Sequence, residues 1–332
     1  MPRRISVHKT IWPLKSPFRI TGHIFENIDP VCVEIAEGEL IGRGEGVSVY
    51  YLGETSDSLM TQIEAMRPAI EAGMTREELQ SAMPAGGARN AVDCALWDLE
   101  CKITGRSIWE LANIAQKPIE TVYTISIEND AAHMAAKAAD AIYYPTLKVK
   151  LDGDQPLERM QAIRSARPDT KLVVDANQGF SFEQLEKILP AFADLDVAMV
   201  EQPLPREGDD CLKEFESPVP LCADESCLHR GDLADVLPRY DMINIKLDKT
   251  GGLTEALALA SEARKNGKRL MVGNMLGSSL SMAPAFVIAQ LCDFVDLDGP
   301  LSLKSDYLNG MNYAGAKVSL PQRSLWGSPK TK

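Results

Sequence analysis

Histidine is scarce in this sequence: four residues in 332, at positions 8, 23, 133 and 229. None stands at the end of a predicted strand, so zinc chemistry has little to build on. Positive charge is the minority sign, with 35 Lys and Arg against 47 Asp and Glu and a net charge of −12. That balance repels phosphate backbones and anionic lipid, so no nucleic-acid or membrane partner is expected. No stretch reaches the ~18 apolar residues of a membrane span. The seven cysteines are scattered, with no pair at the spacing of a zinc knuckle or a redox motif. They read as buried reduced thiols and point to a reducing compartment. The opening MPRRISVHKTIWPL is basic but lacks the apolar core of a signal peptide, so a cytoplasmic location is expected. No nucleophile elbow, phosphate loop or kinase motif occurs.

What is present is a change of pattern along the chain. Residues 4–52 alternate polar and apolar in short runs punctuated by glycine, as in VCVEIAEGELIGRGEGVSVY, which predicts antiparallel strands and hairpins. From Ser56 to Leu111 apolar residues recur at helical spacing, as in ARNAVDCALWDLECKI. Strands first and helices after predict a small α+β domain. From Thr121 onward, short apolar runs alternate with helical stretches. Eight such runs, from TVYTISI at 121 to FVDLDGP at 294, predict parallel βαβ units and a (β/α) barrel. A doubly wound sheet is the lesser reading, because its Gly-rich phosphate fingerprint is absent. After Ser305 the chain turns irregular and is expected to return to the first domain.

Strands of a parallel barrel are buried on both faces and should read as apolar throughout. Here several end in charge: Lys148 and Lys150 on the second, Asp175 and Asn177 on the third, and Glu201 on the fourth. Asp224 and Glu225 end the fifth, Lys246 the sixth, and Asp296 and Asp298 the eighth. One such carboxylate would ordinarily cap the next helix. A whole series at C-terminal strand ends, where barrel enzymes build their sites, marks chemistry.

The residue types suggest which chemistry. Asp175, Glu201 and Asp224 offer hard oxygen ligands from three adjacent strands, expected to converge on one Mg²⁺, or Mn²⁺ in its place. Lys150 and Lys246 lie four strands apart, so they face each other across the barrel mouth. A carboxylate bound to the cation would hold its α-carbon between two amines. Binding of the carboxylate stabilises the enolate formed on deprotonation. A lysine base is ordinarily near pKa 10.4, and Lys150 is expected to be shifted down by Lys148 and the cation. A proton leaving one face and returning on the other amounts to racemisation or epimerisation.

In these motifs the sequence resembles the enolase superfamily, muconate-lactonising subgroup. The likeness rests on Lys148-Val149-Lys150, Asp175-Ala176-Asn177, Glu201-Gln202-Pro203, Asp224-Glu225-Ser226 and Lys246, in order and spacing, and runs over essentially the whole chain. It implies a modified TIM barrel, (β/α)7β, at 118–313, with an α+β capping domain at 1–117 completed by 314–332. It implies Asp175, Glu201 and Asp224 as Mg²⁺ ligands, Lys150 and Lys246 as the acid/base pair, and Lys148 as an aid to the carboxylate. Asn177 and Glu225 stand behind these groups.

The run Asp296-Leu297-Asp298-Gly299-Pro300 is similar to dipeptide epimerases, in which the paired Asp residues hold the substrate's α-ammonium. NIKLDKTGGLTEALALA strengthens the likeness to those acting on L-Ala-D/L-Glu in murein peptide recycling. By the same likeness Thr124 contacts the substrate. A basic residue late in the mobile loop after the first strand usually pairs with the glutamate side chain. Here that loop, 17–25, offers Arg19 early, and otherwise His23. The expected partner is a small dipeptide, with a homo-oligomer left open. Other dipeptides, N-acylamino acid racemisation and o-succinylbenzoate synthesis are the alternatives.

Overall fold

The computed structural model describes residues 3–330. The N-terminal part carries strands β1 (Arg3–Lys9), β2 (Trp12–Ile20), β3 (His23–Ile28), β4 (Val31–Glu37) and β5 (Leu40–Gly46), then helices α1 (Ser56–Glu71), α2 (Arg76–Ala82), α3 (Gly87–Thr104) and α4 (Ile108–Ala112). Strands β1, β4 and β5 pair antiparallel in that order, while β2 and β3 form a separate hairpin. Helix starts follow their caps: the side chains of Thr55, Thr75 and Ser107 each accept from a backbone N–H three residues on.

The glycines of β5 are not turn residues. Gly42, Gly44 and Gly46 lie on one face of the strand, against α3. A Cβ on Gly44 would stand 2.1 Å from Ala91 O, and one on Gly46 would stand 2.0 Å from Gly87 O. The helix therefore rests directly on strand backbone, matching steps of four on the helix to steps of two on the strand. Of the glycines in this stretch, Gly38 is the one in the turn between β4 and β5.

A short strand β6 (Ile119–Glu120) leads into the barrel. Its eight parallel strands are β7 (Tyr123–Ile125), β8 (Thr146–Lys150), β9 (Lys171–Asp175), β10 (Val197–Glu201), β11 (Leu221–Ala223), β12 (Met242–Ile245), β13 (Arg269–Val272) and β14 (Phe294–Val295). The seam closes through Val122 N–H donating to Val295 O at 2.9 Å and Leu297 N–H donating to the Thr121 hydroxyl at 2.9 Å. Between strands run α5 (Ala131–Asp140), α6 (Pro156–Ala166), α7 (Phe182–Asp194), α8 (Leu233–Val236), α9 (Leu247–Thr250), α10 (Leu253–Lys265) and α11 (Ser279–Ala289). The fourth connection is only a 3₁₀ helix, Asp209–Glu214. This is the modified barrel expected from the sequence, with seven connections and eight strands.

Strands β15 (Tyr313–Ala314) and β16 (Lys317–Val318) pair back onto β6. The chain then crosses to the N-terminal part, where Trp326 Nε1 donates to Cys94 O at 3.0 Å and Arg43 Nη2 donates to Ser324 O at 2.8 Å. Helix α3 also docks on the barrel segment that follows β12. Arg89 Nη2 donates to Thr250 O at 2.6 Å, and Asn90 Nδ2 donates to Asp248 Oδ1 at 2.7 Å. At the N-cap of α11, Ser278 N–H and Oγ–H both donate to the buried Glu45 carboxylate of β5, at 2.8 and 2.7 Å.

Candidate active site

Alternation along the barrel strands builds the site in two layers. Val173, Met199, Cys222, Met242, Met271 and Phe294 form an apolar plug inside the barrel. Two residues further along the same strands, on the same face, come Asp175, Glu201, Asp224, Asn244, Gly273 and Asp296. Register levels the polar layer, because Lys150 pairs with Asp175 and Asp175 with Glu201. The seventh strand contributes Gly273 where its neighbours contribute polar groups. A Cβ there would stand 2.7 Å from Asn244 Nδ2 and 3.0 Å from Lys246 Cε. The missing side chain is the space those groups occupy.

The layer is tied by buried ion pairs. Lys148 Nζ lies 2.9 Å from Asp175 Oδ2, 2.8 Å from Glu201 Oε2 and 2.7 Å from Asp296 Oδ2. Lys150 donates to Asp175 Oδ2 at 2.6 Å and to Asn177 Oδ1 at 3.0 Å. Lys246 donates to Asp224 Oδ2 at 2.7 Å. Asn244 donates to Glu201 Oε1 at 2.7 Å, and Asn177 Nδ2 to Glu225 Oε1 at 3.3 Å. Thr124 meets the site through its backbone, whose N–H donates to Asp298 Oδ2 at 2.7 Å.

Among the described residues no three carboxylates meet at metal-coordinating distance. Like charges repel, and the Lys148 ammonium stands between Asp175 and Glu201. The residues still fit a hard cation. They are oxygen donors on adjacent strands, and Glu201 Oε2 and Asp224 Oδ1 are buried without a hydrogen bond of proper geometry. The ammonium of Lys246 is raised. Burial favours its neutral form, but Asp224 and Glu201 outweigh that. Lys148 is likewise held well above its ordinary value, against burial, by Asp175, Asp296 and Glu201. For the acids, burial and then Asp175 lift Glu201 to about 7, and burial and then Asp224 lift Glu225 to about 8. Burial opposes ionisation of Asp175 too, yet Lys148 and Lys150 hold it well below the carboxylate range.

Above this floor lies a cavity with about 520 Å³ of free space, part of it open to solvent. Lys148, Lys150, Lys246, Thr124, Asp296 and Asp298 line it, joined from the N-terminal part by Phe18, Phe25, Tyr50 and Tyr51. The segment expected to be a mobile loop is the β2–β3 hairpin, pinned over the mouth by Thr21 Oγ1 to Ala176 O at 2.9 Å and Leu151 O at 3.1 Å. Strand alternation turns Phe18 and Ile20 toward the cavity and leaves Arg19 exposed, paired with the exposed Ile24. Arg19 therefore does not line the site. His23 does not line it either; its ring stacks on Tyr50 at 4.9 Å.

Sequence reasoning missed the two tyrosines, Asn274 and Gln202. Gln202 sits at φ 36°, and its Oε1 accepts from Asp224 N–H at 3.0 Å and Ser226 N–H at 3.1 Å, fixing the fifth strand end. Leu276, at φ 60°, and Asn177, at φ 41°, hold the same left-handed backbone at the cavity wall. Such residues cost about 1–3 kcal/mol each and collect at functional sites.

The pattern of a mandelate racemase / muconate lactonizing enzyme N-terminal domain matches residues 3–112, and that of an enolase C-terminal domain-like fold matches residues 130–307. The chain belongs to the enolase superfamily. It is 43% identical over 322 residues to the L-Ala-D/L-Glu epimerase of Escherichia coli, covering 96% of this chain and 100% of that one. It is 42% identical over 299 residues to an N-acetyl-D-glutamate racemase from a Pseudoalteromonas species, covering 90% of this chain and 95% of that one. Among solved structures, an enolase family member from Agrobacterium tumefaciens with homology to dipeptide epimerases superposes with a TM-score of 0.95 at 43% identity. That match covers 98% of this chain and 100% of that one, and the structure holds sodium and L-Ala-L-Glu.

Proposed function

We propose that this enolase-superfamily protein is a metal-dependent dipeptide epimerase that inverts the α-carbon of the C-terminal residue, with L-Ala-D/L-Glu as its substrate. The observation that carries this is the placement of Lys150 and Lys246. The two ammonium-bearing side chains come from strands four apart in an eight-stranded barrel and line one cavity. A group that only binds has no use for two opposed bases.

Asp175, Glu201 and Asp224 would hold Mg²⁺, which matches their hard oxygen donors. When bound, the cation supplies the positive charge that makes a proton beside a carboxylate acidic enough to remove. Lys148, reaching Asp175 and Glu201 at once, orients the carboxylate end. Lys150 or Lys246, as the neutral amine, takes the α-proton onto its Nζ. The ammonium on the opposite face gives its own proton to the same carbon. Asp296 and Asp298 line the same cavity on the β14 side and suit a free α-ammonium. Asn177 and Glu225 hold the Lys150 side of the floor. Phe18, Phe25 and Tyr50 exclude water above it. The same reading takes residues 1–117 with 314–332 as the cap and 118–313 as the barrel. It places the protein in the cytoplasm, consistent with seven free cysteines.

The test is α-deuteration of L-Ala-L-Glu and L-Ala-D-Glu in D₂O with Mg²⁺, followed by mass. Both epimers should exchange and interconvert. No exchange on either would overturn the reading. The 42%-identical N-acetyl-D-glutamate racemase favours a second substrate with the same glutamate carbon but no ammonium. N-acetylglutamate in the same assay separates the two.

A further inference from the structure

Lys249 is a second buried lysine on the Lys246 side, with a side chain fully withdrawn from solvent. It lies on α9, the single turn that begins at Lys246, and its own N–H donates to Lys246 O at 3.0 Å. Its ammonium has three hydrogens and three backbone acceptors: Asp224 O, Cys227 O and Asn244 O, the last two at 2.9 Å. It therefore clamps the end of the fifth barrel strand, the loop after it, and the sixth strand two residues before Lys246. It also stands 2.7 Å from Asp224 Oδ1, while Lys246 takes Oδ2 of the same carboxylate at 2.7 Å.

On the other side of the barrel, Lys150 depends on Asp175 and Asn177. Lys249 touches neither. We propose that Lys249 is a positioning residue for Lys246 and not for Lys150, so that its loss falls more heavily on proton transfer at the Lys246 face of the substrate than at the other. This rests on the two-base reading above.

The consequence is a loss of symmetry. An amine displaced by about 1 Å loses on the order of a hundredfold in rate. Lys249→Met should slow α-deuterium exchange of one epimer by about tenfold to a hundredfold. Exchange of the other, which shares only the Asp224 contact, should fall by at least about threefold less. Lys246→Ala identifies the affected epimer, and Lys150→Ala identifies the other. The experiment measures exchange of L-Ala-L-Glu and L-Ala-D-Glu in D₂O with Mg²⁺ for wild type, these variants and Lys249→Gln.

Each variant is scored by the ratio of its two exchange rates, which does not depend on how much of the sample is folded. Lys249→Gln keeps two amide donors and should give a smaller skew of the same sign. A ratio that stays at the wild-type value, or one skewed in the sense of Lys150→Ala, would overturn the inference. Failure of the wild type to exchange either epimer would instead overturn the two-base reading.

Discussion

Lys148 donates to Asp296 at 2.7 Å across β7, the barrel strand that lies between them. One carboxylate of the Asp296–Asp298 pair is thus already neutralised from below by the floor of the site. Burial and then Asp296 lift the other, Asp298, to about 7. A substrate ammonium would supply the positive charge that this pair lacks. Asp296→Asn should therefore raise KM for L-Ala-D-Glu by about tenfold to a hundredfold, the equivalent of one charge-assisted hydrogen bond. Because Lys148 keeps Asp175 and Glu201, kcat should stay within about threefold. Any turnover of N-acetylglutamate should be unaffected. Equal losses on both substrates would show that Asp296 serves the floor and not the ammonium.

Metal binding is measurable without turnover. At a Mg²⁺ concentration about a hundred times its Kd, the melting temperature should rise by roughly 3–8 °C. Asp224→Asn should remove most of that rise. Thermal melts with and without EDTA make the comparison.

Glu45 gives a pH dependence with a definite sign. Burial lifts its carboxyl from an ordinary 4.5 to about 7, despite the two hydrogen bonds from Ser278. Between those values the folded protein keeps a proton that the unfolded chain has released. Its contribution to stability is full below pH 4.5 and is lost as pH rises through 7. Glu45→Gln stays neutral throughout. Relative to wild type, the variant should gain stability between pH 5 and pH 8 by on the order of 2–3 kcal/mol. Melting curves at several pH values would show it, and a flat difference would contradict it.

The contact of β5 with α3 predicts a steric penalty. Gly44→Ala would set a methyl 2.1 Å from Ala91 O, which is backbone and cannot swing aside. Separation of strand and helix should cost about 1–3 kcal/mol or more. Gly53→Ala makes the contrast, since its Cβ would meet nothing within 4 Å and its penalty comes only from its φ of +78°. Chemical denaturation of both variants ranks the two effects.

The barrel and its floor were legible because they obey a period of two. Each charged residue, such as Asp175 or Glu201, follows an inward apolar residue by two positions, and that break in an apolar run is visible in a single sequence. Lys148 and Lys150, two apart on β8, share the inward face and break the apolar run together. Gly273 obeys it too, but a glycine carries no signal of the side chain it makes room for. The cap residues were harder. Tyr50 and Tyr51 reach the cavity only because the N-terminal part docks over the barrel mouth, a tertiary fact with no local pattern. Arg19 was misplaced because residues 17–25 were read as a loop, in which any side chain could turn inward. As a strand, that segment sends alternate residues to opposite faces and turns Arg19 outward. Gly42, Gly44 and Gly46 were read as punctuation, although their even spacing already matched a strand face.

Trp326 bonds to Cys94 across 232 residues of chain. The sheet and helices at the start of the protein thus receive part of their packing from a segment made only after the whole barrel has been synthesised. During translation the Cys94 end of α3 stays without this contact until the eight strands have been made. Chain order therefore leaves the seating of Trp326 among the last contacts to form, after the strands that carry the floor have left the ribosome.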